Sequence, residues 1–323
     1  MDMDAGSDAD AAMQTEDSAV DVDADTTDGL PEMDGTNVTE VIPDVPDASI
    51  EQSAFVDADG PIDVPVGTLP SEIPGVLLWL DAADLPVGTL TFWPDKSKHG
   101  VGAMTTLPTA QDAVVIDSQS GLPVVDMSGK DDPLLLTGDF SDFTGGISIF
   151  VVLNPRLSYV PAPQQQAAYA HFIDFGPALQ IDGHDNDIVF QRAGDAQAQL
   201  EFFVYLNNEV NTGIAAPEVV GNYSWQVLEA VMAGGSAGQS TRVRMFKNGT
   251  EVSAGTTYVP NIIARSSSLL GGSNFRQQGF SEVDGHYLGR IGEVVVFARN
   301  LRDDERMGLE TYFSRKWKVT LDQ

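Results

Sequence analysis

The sequence has no cysteine, which excludes disulfide bonds, thiolate metal sites and a cysteine nucleophile. It also has little positive charge, because 17 Lys and Arg stand against 48 Asp and Glu and the formal net charge is −31. Affinity for nucleic acid rests on Lys and Arg that displace counterions from phosphates, so we expect no nucleic-acid partner. No apolar run approaches the roughly 20 residues that span a bilayer, and the sequence therefore predicts no membrane-spanning segment.

Residues 1–66 have no basic side chain and a single aromatic one, Phe55, and Asp, Ala, Thr, Gly and Pro dominate them. Such a segment buries too little apolar surface to offset the entropy lost on ordering. Its like charges repel and extend it. We therefore predict a disordered acidic tether over residues 1–66 and one folded domain over residues 67–323.

The first residues after Met1 form neither the positive n-region nor the apolar h-region of a signal peptide. The acidic tract resembles the linkers that follow the lipidated cysteine of some bacterial surface lipoproteins. That resemblance implies an export signal and a lipid anchor upstream of Met1, and an extracellular or cell-surface location. Retention inside the cell is the alternative.

From Pro74 onward, short apolar runs alternate with turn residues. They lie at residues 75–81, 122–127, 134–136, 147–153, 171–175, 188–191, 200–206, 225–232, 241–246 and 293–298. Their length and their Gly, Asn, Asp and Pro boundaries indicate strands, and so many strands predict an all-β sandwich. Asn248-Gly249 predicts a type I′ hairpin turn with a return strand over residues 250–254. Residues 155–168 and 207–222 are expected to be long loops.

One helix is predicted near the C-terminus, over residues 303–318. Leu309, Phe313 and Trp317 recur there at a spacing of four residues and form an apolar stripe. Acidic residues begin the segment and basic residues end it, which suits the helix dipole. We expect this helix to pack on the sandwich.

Two segments carry a family resemblance. Leu78-Trp-Leu-Asp-Ala-Ala-Asp84 with Phe92–Gly100, and Gly289–Arg306 with Tyr312–Trp317, resemble the opening and closing motifs of bacterial laminin-G-like domains. The resemblance covers residues 74–319 and implies a concanavalin A-like jelly-roll sandwich that binds sugars or proteins, sometimes with Ca²⁺. Arg302 replaces the usual Ser or Thr helix cap, so Asn300 or Asp303 is expected to supply the capping oxygen. Lys98 replaces a turn glycine.

The sequence predicts no catalytic residues. A retaining glucanase needs two carboxylates about 5 to 5.5 Å apart. On this fold they usually follow a Glu-x-Asp-x-x-Glu pattern. Glu282-Val-Asp284 is the nearest approach and lacks the second Glu. The four His residues lack the spacing of a helical zinc site, and no Gly-x-Ser-x-Gly elbow is present.

A metal is suggested by the oxygen-rich segment Asp182-Gly-His-Asp-Asn-Asp187, since hard oxygen donors in a tight loop suit Ca²⁺. The candidate ligands are Asp182, Asp185, Asn186 and Asp187. A hairpin tip between residues 179–181 and 188–190 explains the same turn-forming residues without a metal.

A ligand-binding rim is predicted over Asn274–Tyr287, where aromatic rings could stack on a sugar and polar groups could bind its hydroxyls. The candidates are Asn274, Phe275, Arg276, Gln277, Phe280 and Tyr287. We therefore predict a non-catalytic surface or secreted module that binds a glycan or a glycosylated protein. The alternatives are a structural or protein-interaction module without sugar binding, and a glycoside hydrolase of the glucanase type.

Overall fold

The computed structural model describes residues 67–105, 114–117, 121–127, 133–156, 170–178, 180–181, 183–193, 198–276 and 286–322. All of them belong to one compact unit, Ile62–Gln323. The predicted tether over residues 1–66 lies outside the described residues.

The described strands, in chain order, are β1 (Val76–Asp81), β2 (Gly88–Thr89), β3 (Phe92–Pro94), β4 (Gly102–Thr105), β5 (Val114–Asp117), β6 (Pro123–Asp126), β7 (Leu134–Thr137), β8 (Gly146–Pro155), β9 (Ala170–Phe175), β10 (Gln180–Ile181), β11 (Ile188–Ala193), β12 (Gln199–Tyr205), β13 (Asn211–Ala216), β14 (Gln226–Ala233), β15 (Ser240–Lys247), β16 (Thr250–Tyr258), β17 (Leu269–Leu270), β18 (Phe275–Arg276) and β19 (Gly289–Phe297). The helix α1 spans Asp303–Trp317, and 3-10 turns lie at Pro70–Glu72 and Ala82–Asp84. Among these residues no helix is both long and apolar enough to cross a membrane.

The strands form two large antiparallel sheets. Sheet A has the order β16-β15-β14-β8-β19-β6-β5-β2, with β1 also paired to β19, and sheet B has the order β13-β12-β11-β9-β17-β7-β4-β3. Apolar side chains of both sheets are buried in one core, among them Phe150, Phe172 and Phe190. The protein is thus an all-β sandwich with one C-terminal helix, which confirms the predicted fold class.

Helix α1 covers the outer face of sheet A, and this is why the central strand β8 is buried along almost its whole length. Leu309, Phe313 and Trp317 are buried, so the predicted apolar stripe is confirmed. Under the helix, the buried Glu293 carboxylate of β19 accepts hydrogen bonds from residues near the beginning and near the end of the domain's sequence. Its donors are Trp79 Nε1 (2.6 Å), Tyr312 Oη (2.9 Å), Lys316 Nζ (2.9 Å) and Trp317 Nε1 (2.7 Å).

The start of the helix differs from the expectation. Arg302 occupies the N-cap position, and the Glu305 carboxylate accepts a hydrogen bond from its backbone N–H at 3.0 Å. The Asp303 carboxylate instead binds Arg244 at 2.8 Å. Neither Asn300 nor Asp303 supplies the expected capping oxygen, and the bond that is present is the other half of a capping box, in which the Glu on the third helical residue caps the N–H of the N-cap residue. Lys98 has φ 74°, the left-handed conformation that favours glycine.

The hairpin prediction is confirmed. Asn248 has φ 48° and Gly249 has φ 87°, as a type I′ turn requires, and β16 returns beside β15. The prediction of a loop over residues 207–222 is wrong in part, because β13 lies within it and pairs with β12 at the edge of sheet B. This strand has no apolar run of its own, and its backbone hydrogen bonds to β12 hold it in the extended conformation. The other predicted loop lies almost wholly in residues 157–169, outside the described part of the chain.

Candidate functional site

An open cleft lies on the outer face of sheet A beside the C-terminal end of α1. Its volume is about 290 Å³, and the residues that line it are Asn154, Arg156, Tyr223, Trp225 and Arg290. We call this surface the cleft. Arg290 of β19 stands directly opposite Asn154 of β8 on one side and Asp126 of β6 on the other. The three strands therefore present one polar row to the cleft.

A β-bulge in β19 places Arg290 on this face. Ile291 pairs with Leu153 and Glu293 with Val152, so Gly292 is the extra residue. The bulge shifts the alternation and brings Arg290 to the same face as Glu293, below the helix. A Cβ on Gly292 would lie 3.0 Å from the Trp317 ring, so glycine permits the close approach of the helix at this point.

Two aromatic side chains form one wall of the cleft. Tyr223 is 66% exposed and has φ 54°, an unusual conformation for an aromatic residue, while its N–H donates to the Pro155 carbonyl at 2.8 Å. Strained backbone at an exposed aromatic residue is a recognised mark of binding sites. Trp225 is half-buried and stacks on Trp317 with ring centroids 6.0 Å apart.

Two guanidinium groups also line the cleft. Arg290 Nε lies 3.3 Å and Arg156 Nη2 3.9 Å from the same oxygen of Asp126, Oδ2. The Arg156 N–H donates to the Leu288 carbonyl at 2.8 Å, which fixes the chain beside Arg290. Since one carboxylate faces two cations, the cleft carries local positive charge on a strongly acidic protein.

A second group of polar residues lies on sheet B, and we call it the buried polar cluster: His171, Asp174, His184, Asp187 and Asn274. A β-bulge again creates it, because Phe190 pairs with Ile173 and Gln191 with His171, which leaves Phe172 as the extra residue of β9. The bulge brings His171 and Asp174, three residues apart, to one face of the strand. His184 and Asp187 reach this face from the segment before β11.

The cluster is compact. One ligand atom each of Asp174, His184 and Asp187 lie within 4.8 Å of one another. His184 Nδ1 is 2.8 Å from Asp187 Oδ2, and the His184 ring lies between those of Tyr205 (centroids 4.4 Å) and His171 (6.1 Å). A Cβ on Gly176 would meet Asn274 Nδ2 at 2.4 Å and Asp187 Oδ1 at 2.8 Å, so these groups fill the space beside that glycine.

Burial perturbs the titration of the cluster. It raises the pKa of Asp174 to about 7, with the Asp187 charge as the next cause. It lowers the pKa of His184 and lowers that of His171 well below its usual value, where the His184 and His286 charges contribute further. Both imidazoles are therefore neutral near pH 7, the form in which histidine binds metals.

Three atoms of the cluster are inaccessible to solvent and have no hydrogen-bond partner within the part of the chain that the structure describes: Asp174 Oδ1, His171 Nδ1 and Asn274 Nδ2. The other Asp174 oxygen, Oδ2, accepts from Ser273 Oγ and from the Asn274 N–H, both at 3.0 Å, and lies 3.6 Å from His171 Nδ1. Buried polar atoms without partners are rare in native proteins and call for an explanation.

The residues predicted as a ligand rim fall in three places. Asn274 is 2% exposed and belongs to the buried polar cluster, so it does not face an external sugar. Tyr287 is 1% exposed, packs edge-on against Phe172 at 5.6 Å, and donates from Oη to the Arg290 carbonyl at 3.1 Å. Its predicted stacking face is therefore covered by the core. Phe275 and Arg276 form β18, and Gln277 and Phe280 lie outside the described residues.

The residues predicted to bind Ca²⁺ are not brought together. Asp182 lies outside the described residues, and Asp185 is exposed, with Oδ1 accepting from Asn186 Nδ2 at 2.9 Å. Asn186 adopts φ 62°, and its Oδ1 accepts from Asn261 at 2.8 Å. Of the three predicted ligands that the structure describes, Asp187 alone joins the buried polar cluster. The hairpin interpretation is also wrong, because β10 pairs in parallel with β18 and not with β11.

Sequence reasoning missed every residue of the cleft and most of the buried polar cluster. Their members are far apart along the chain and meet only through strand register and bulges. The one local signal was the density of polar residues between Asp182 and Asp187, which does point to one side of the cluster. Glu282 and Asp284, the nearest approach to a glucanase pair, lie outside the described residues.

None of the known protein families and none of the curated proteins matches the sequence. Solved structures that are similar to the chain include domain 4 of AbnA, a GH43 extracellular arabinanase from Geobacillus stearothermophilus, in complex with arabinotriose (TM-score 0.48, 11% identity, 73% of this chain and 98% of that one). Another is the CBM40 of the Ruminococcus gnavus IT-sialidase bound to α2,3-sialyllactose (TM-score 0.37, 14% identity, 50% and 80%). A third is the leech intramolecular trans-sialidase (TM-score 0.42, 12% identity, 74% and 28%).

All three TM-scores are below 0.5, so the fold assignment rests on the sheet topology. The class that this topology defines is an antiparallel two-sheet β-sandwich. The closer resemblance to laminin-G-like domains stays a prediction.

Proposed function

We propose that this protein is a non-catalytic glycan-binding module and that the cleft binds a sugar residue bearing a carboxylate. The observation that carries the proposal is the combination, in one open concavity, of an exposed tyrosine with two arginines that share a single aspartate. As a module of this kind it would act outside the cell, on free glycans or on glycosylated proteins.

The size of the cleft supports one bound sugar unit. Ligand pockets run from about 300 to 1,000 Å³, and the cleft lies at the lower end of this range. The Tyr223 ring offers an apolar face for a pyranose, while the Asn154 amide offers a donor and an acceptor for hydroxyls. A pocket of this kind suits a terminal or branching residue better than a long polysaccharide chain.

The arginines favour an acidic sugar. A guanidinium binds a carboxylate through two parallel hydrogen bonds, and this geometry adds both energy and specificity. Asp126 holds Arg290 through Nε, so the terminal nitrogens of that guanidinium point elsewhere. A neutral sugar would leave the local positive charge of the cleft without a counterion.

The lining residues also support a role without turnover. None of the five carries a carboxylate, whereas glycoside hydrolysis in most families requires a pair of Asp or Glu residues. Asp126, the nearest acid, is engaged by both arginines.

The test is calorimetric titration with matched sugars that differ in the carboxylate: sialyllactose against lactose, and trigalacturonate against galactotriose. We expect an acidic sugar to bind and its neutral partner to bind at least tenfold more weakly. Arg156→Met with Arg290→Met should remove this preference, and Tyr223→Ala should weaken binding at least tenfold. Arg242→Met, an exposed arginine on β15, is the matched control.

Equal affinity for acidic and neutral sugars, lost in Tyr223→Ala, would keep the cleft as a glycan site and overturn the acidic preference. Binding that survives all three substitutions would place the site elsewhere. Release of shortened oligosaccharides would show a hydrolase and overturn the non-catalytic assignment.

A further inference from the structure

The buried polar cluster has no role in the proposed glycan cleft, since it lies on sheet B while the cleft lies on sheet A. Burying these side chains costs free energy, and a purely structural role would not require them. The cluster buries the carboxylates of Asp174 and Asp187 and the imidazole of His171, and it leaves the His184 side chain only 17% exposed. Burying a charged group whose pairing is incomplete, as at Asp174, costs several kcal/mol. A bound cation would offset this cost.

We propose that Asp174, His184 and Asp187 bind one divalent ion of the first transition series, between Mn²⁺ and Zn²⁺, with His171 and Asn274 beside it. Three ligand atoms within 4.8 Å of one another need only small side-chain rotations to meet at one ion. Two carboxylates and an imidazole are a donor set typical of such ions.

The atoms without partners are the second observation that points to an ion. Asp174 is 0% exposed, and its Oδ1 has no hydrogen-bond partner among the described residues. Its other oxygen is held by Ser273 and Asn274, so the orientation of the carboxylate is fixed beside His184 and Asp187. Hydrogen bonds that orient a ligating carboxylate in this way are characteristic of built metal sites.

The orientation of His184 fits the same role. Its ring is fixed between two other rings, and its Nδ1 contacts the Asp187 carboxylate at 2.8 Å. Metal–ligand bonds are about 2.0 to 2.2 Å long, so two ligand atoms of one ion lie about 3 Å apart, and Nδ1 and this carboxylate can bind an ion in place of the contact between them. Asp187 itself is 0% exposed and directly precedes Ile188, the first residue of β11 that pairs with β9, so the strand ladder constrains its distance from Asp174.

The choice of ion follows from the imidazole. Ca²⁺ takes six to eight oxygen ligands and has little affinity for nitrogen, whereas Mn²⁺, Co²⁺ and Zn²⁺ accept imidazole readily. The oxygen-only set that would suit Ca²⁺ includes Asp185, which is exposed and turned to Asn186. The donors thus differ from those that the sequence suggested, and so does the ion.

The first experiment uses the full chain, stripped with a chelator and titrated with Zn²⁺, Mn²⁺, Co²⁺, Ca²⁺ and Mg²⁺ by calorimetry and by thermal denaturation. We expect one ion per chain, a rise in Tm with the transition ions, and little response to Ca²⁺ or Mg²⁺. The visible spectrum of the Co²⁺-loaded protein reports nitrogen and oxygen coordination independently of any activity.

The matched variants are Asp174→Asn and Asp185→Asn. Asn at position 174 keeps an acceptor for Ser273 and Asn274 and removes a buried charge, so the metal-free protein should fold and keep or raise its Tm. Its affinity for the ion should fall by at least about 100-fold, as expected for loss of a direct ligand. Asp185→Asn, two residues before Asp187 in sequence but exposed, should change the affinity less than about twofold.

A stripped protein that binds no transition ion would overturn the proposal, as would Asp174→Asn binding the ion like the wild type. Preference for Ca²⁺ over Zn²⁺ and Mn²⁺, lost equally in Asp185→Asn, would instead support the oxygen-only loop.

Discussion

Glu229 shows what one buried charge does to this protein. It lies on β14 under helix α1, is 0% exposed, and contacts Arg306 Nη1 at 3.5 Å. Arg306 also pairs with Glu310 and lies over the Phe246 ring at 3.9 Å. One cation thus serves two buried carboxylates, and burial raises the pKa of Glu229 well above its usual value, with the Glu310 charge as the next cause.

This arrangement predicts a pH-dependent stability. A carboxyl whose pKa is raised on folding contributes its full stability below the unfolded pKa, about 4.5 here, and loses it as pH rises through the folded pKa. Glu229→Gln removes the ionisable carboxyl, so the variant does not lose this stability as pH rises. The free energy of unfolding of the variant, relative to the wild type, should therefore increase from pH 5 to pH 9, by about 1.4 kcal/mol for each unit of raised pKa.

Urea denaturation at several pH values measures this difference, with the exposed Glu209→Gln as the control. A variant that instead becomes progressively less stable than the wild type as pH rises would show that the ion pair with Arg306 outweighs burial.

Single residues also explain why the candidate sites were hidden from the sequence. Phe172 and Gly292 are the extra residues of two bulges, and each reverses which neighbours share a face. Phe172 reads as an ordinary strand residue. Around Gly292 the order of polar and apolar residues does not indicate that the side chains change face. A bulge residue can be identified only by comparing its strand with the strand that it pairs with. The local sequence pattern therefore predicts neither the cleft nor the buried polar cluster.

At the scale of elements, the docking of α1 depends on one acceptor. Glu293 receives hydrogen bonds from Trp79 on β1 and from three residues of the helix, and it is 0% exposed. The first strand, the last strand and the helix therefore meet at a single carboxylate.

Glu293→Gln should lower the free energy of unfolding by about 3 kcal/mol or more, because Gln has one acceptor oxygen and its amide N–H groups face the remaining donors. Urea denaturation followed by Trp fluorescence measures the loss, since Trp79 and Trp317 both donate to this group. Glu209→Gln again serves as the control. A change below about 1 kcal/mol would mean that apolar packing of the helix alone secures it.

The elements themselves were largely predictable. Local features of the sequence predict most of the elements. Apolar runs predict the strands, the Asn248-Gly249 pair predicts the hairpin, and the period of the apolar residues and the charges at both ends predict the helix. β13 and the β10–β18 pair were not predictable, because their backbone groups are satisfied by partners distant in sequence. The cap of the helix was not predictable either, because the expected oxygen of Asn300 or Asp303 is not used and the Glu305 carboxylate instead accepts from the Arg302 N–H.

At the scale of the whole molecule, the two sheets separate the two candidate sites. The cleft lies on the outer face of sheet A, and the buried polar cluster lies on sheet B. A sugar in the first therefore makes no contact with an ion in the second. Removal of metal should change thermal stability and leave the affinity of the cleft for its sugar within about twofold, which calorimetry with and without chelator would measure. A larger loss would show that the ion shapes the cleft through the core.

The pairing of β1 with β19 gives the sandwich a direction of mechanical strength. Val76 lies opposite Phe297 and Asp81 opposite Glu293, while Arg290 and the cleft are at the far end of β19. A pull between the start of β1 and a ligand in the cleft loads the hydrogen bonds of the β1–β19 ladder in shear, all at once. A pull between the start of β1 and the end of β19 breaks the same bonds one by one.

Because the chain has no cysteine, pairs of introduced cysteines provide unique handles for optical tweezers. The two pairs are Glu72→Cys with Tyr223→Cys, and Glu72→Cys with Arg302→Cys. The first pair should withstand the higher force, so that the domain would resist a pull on its ligand and open readily when force is applied across the start of β1 and the end of β19.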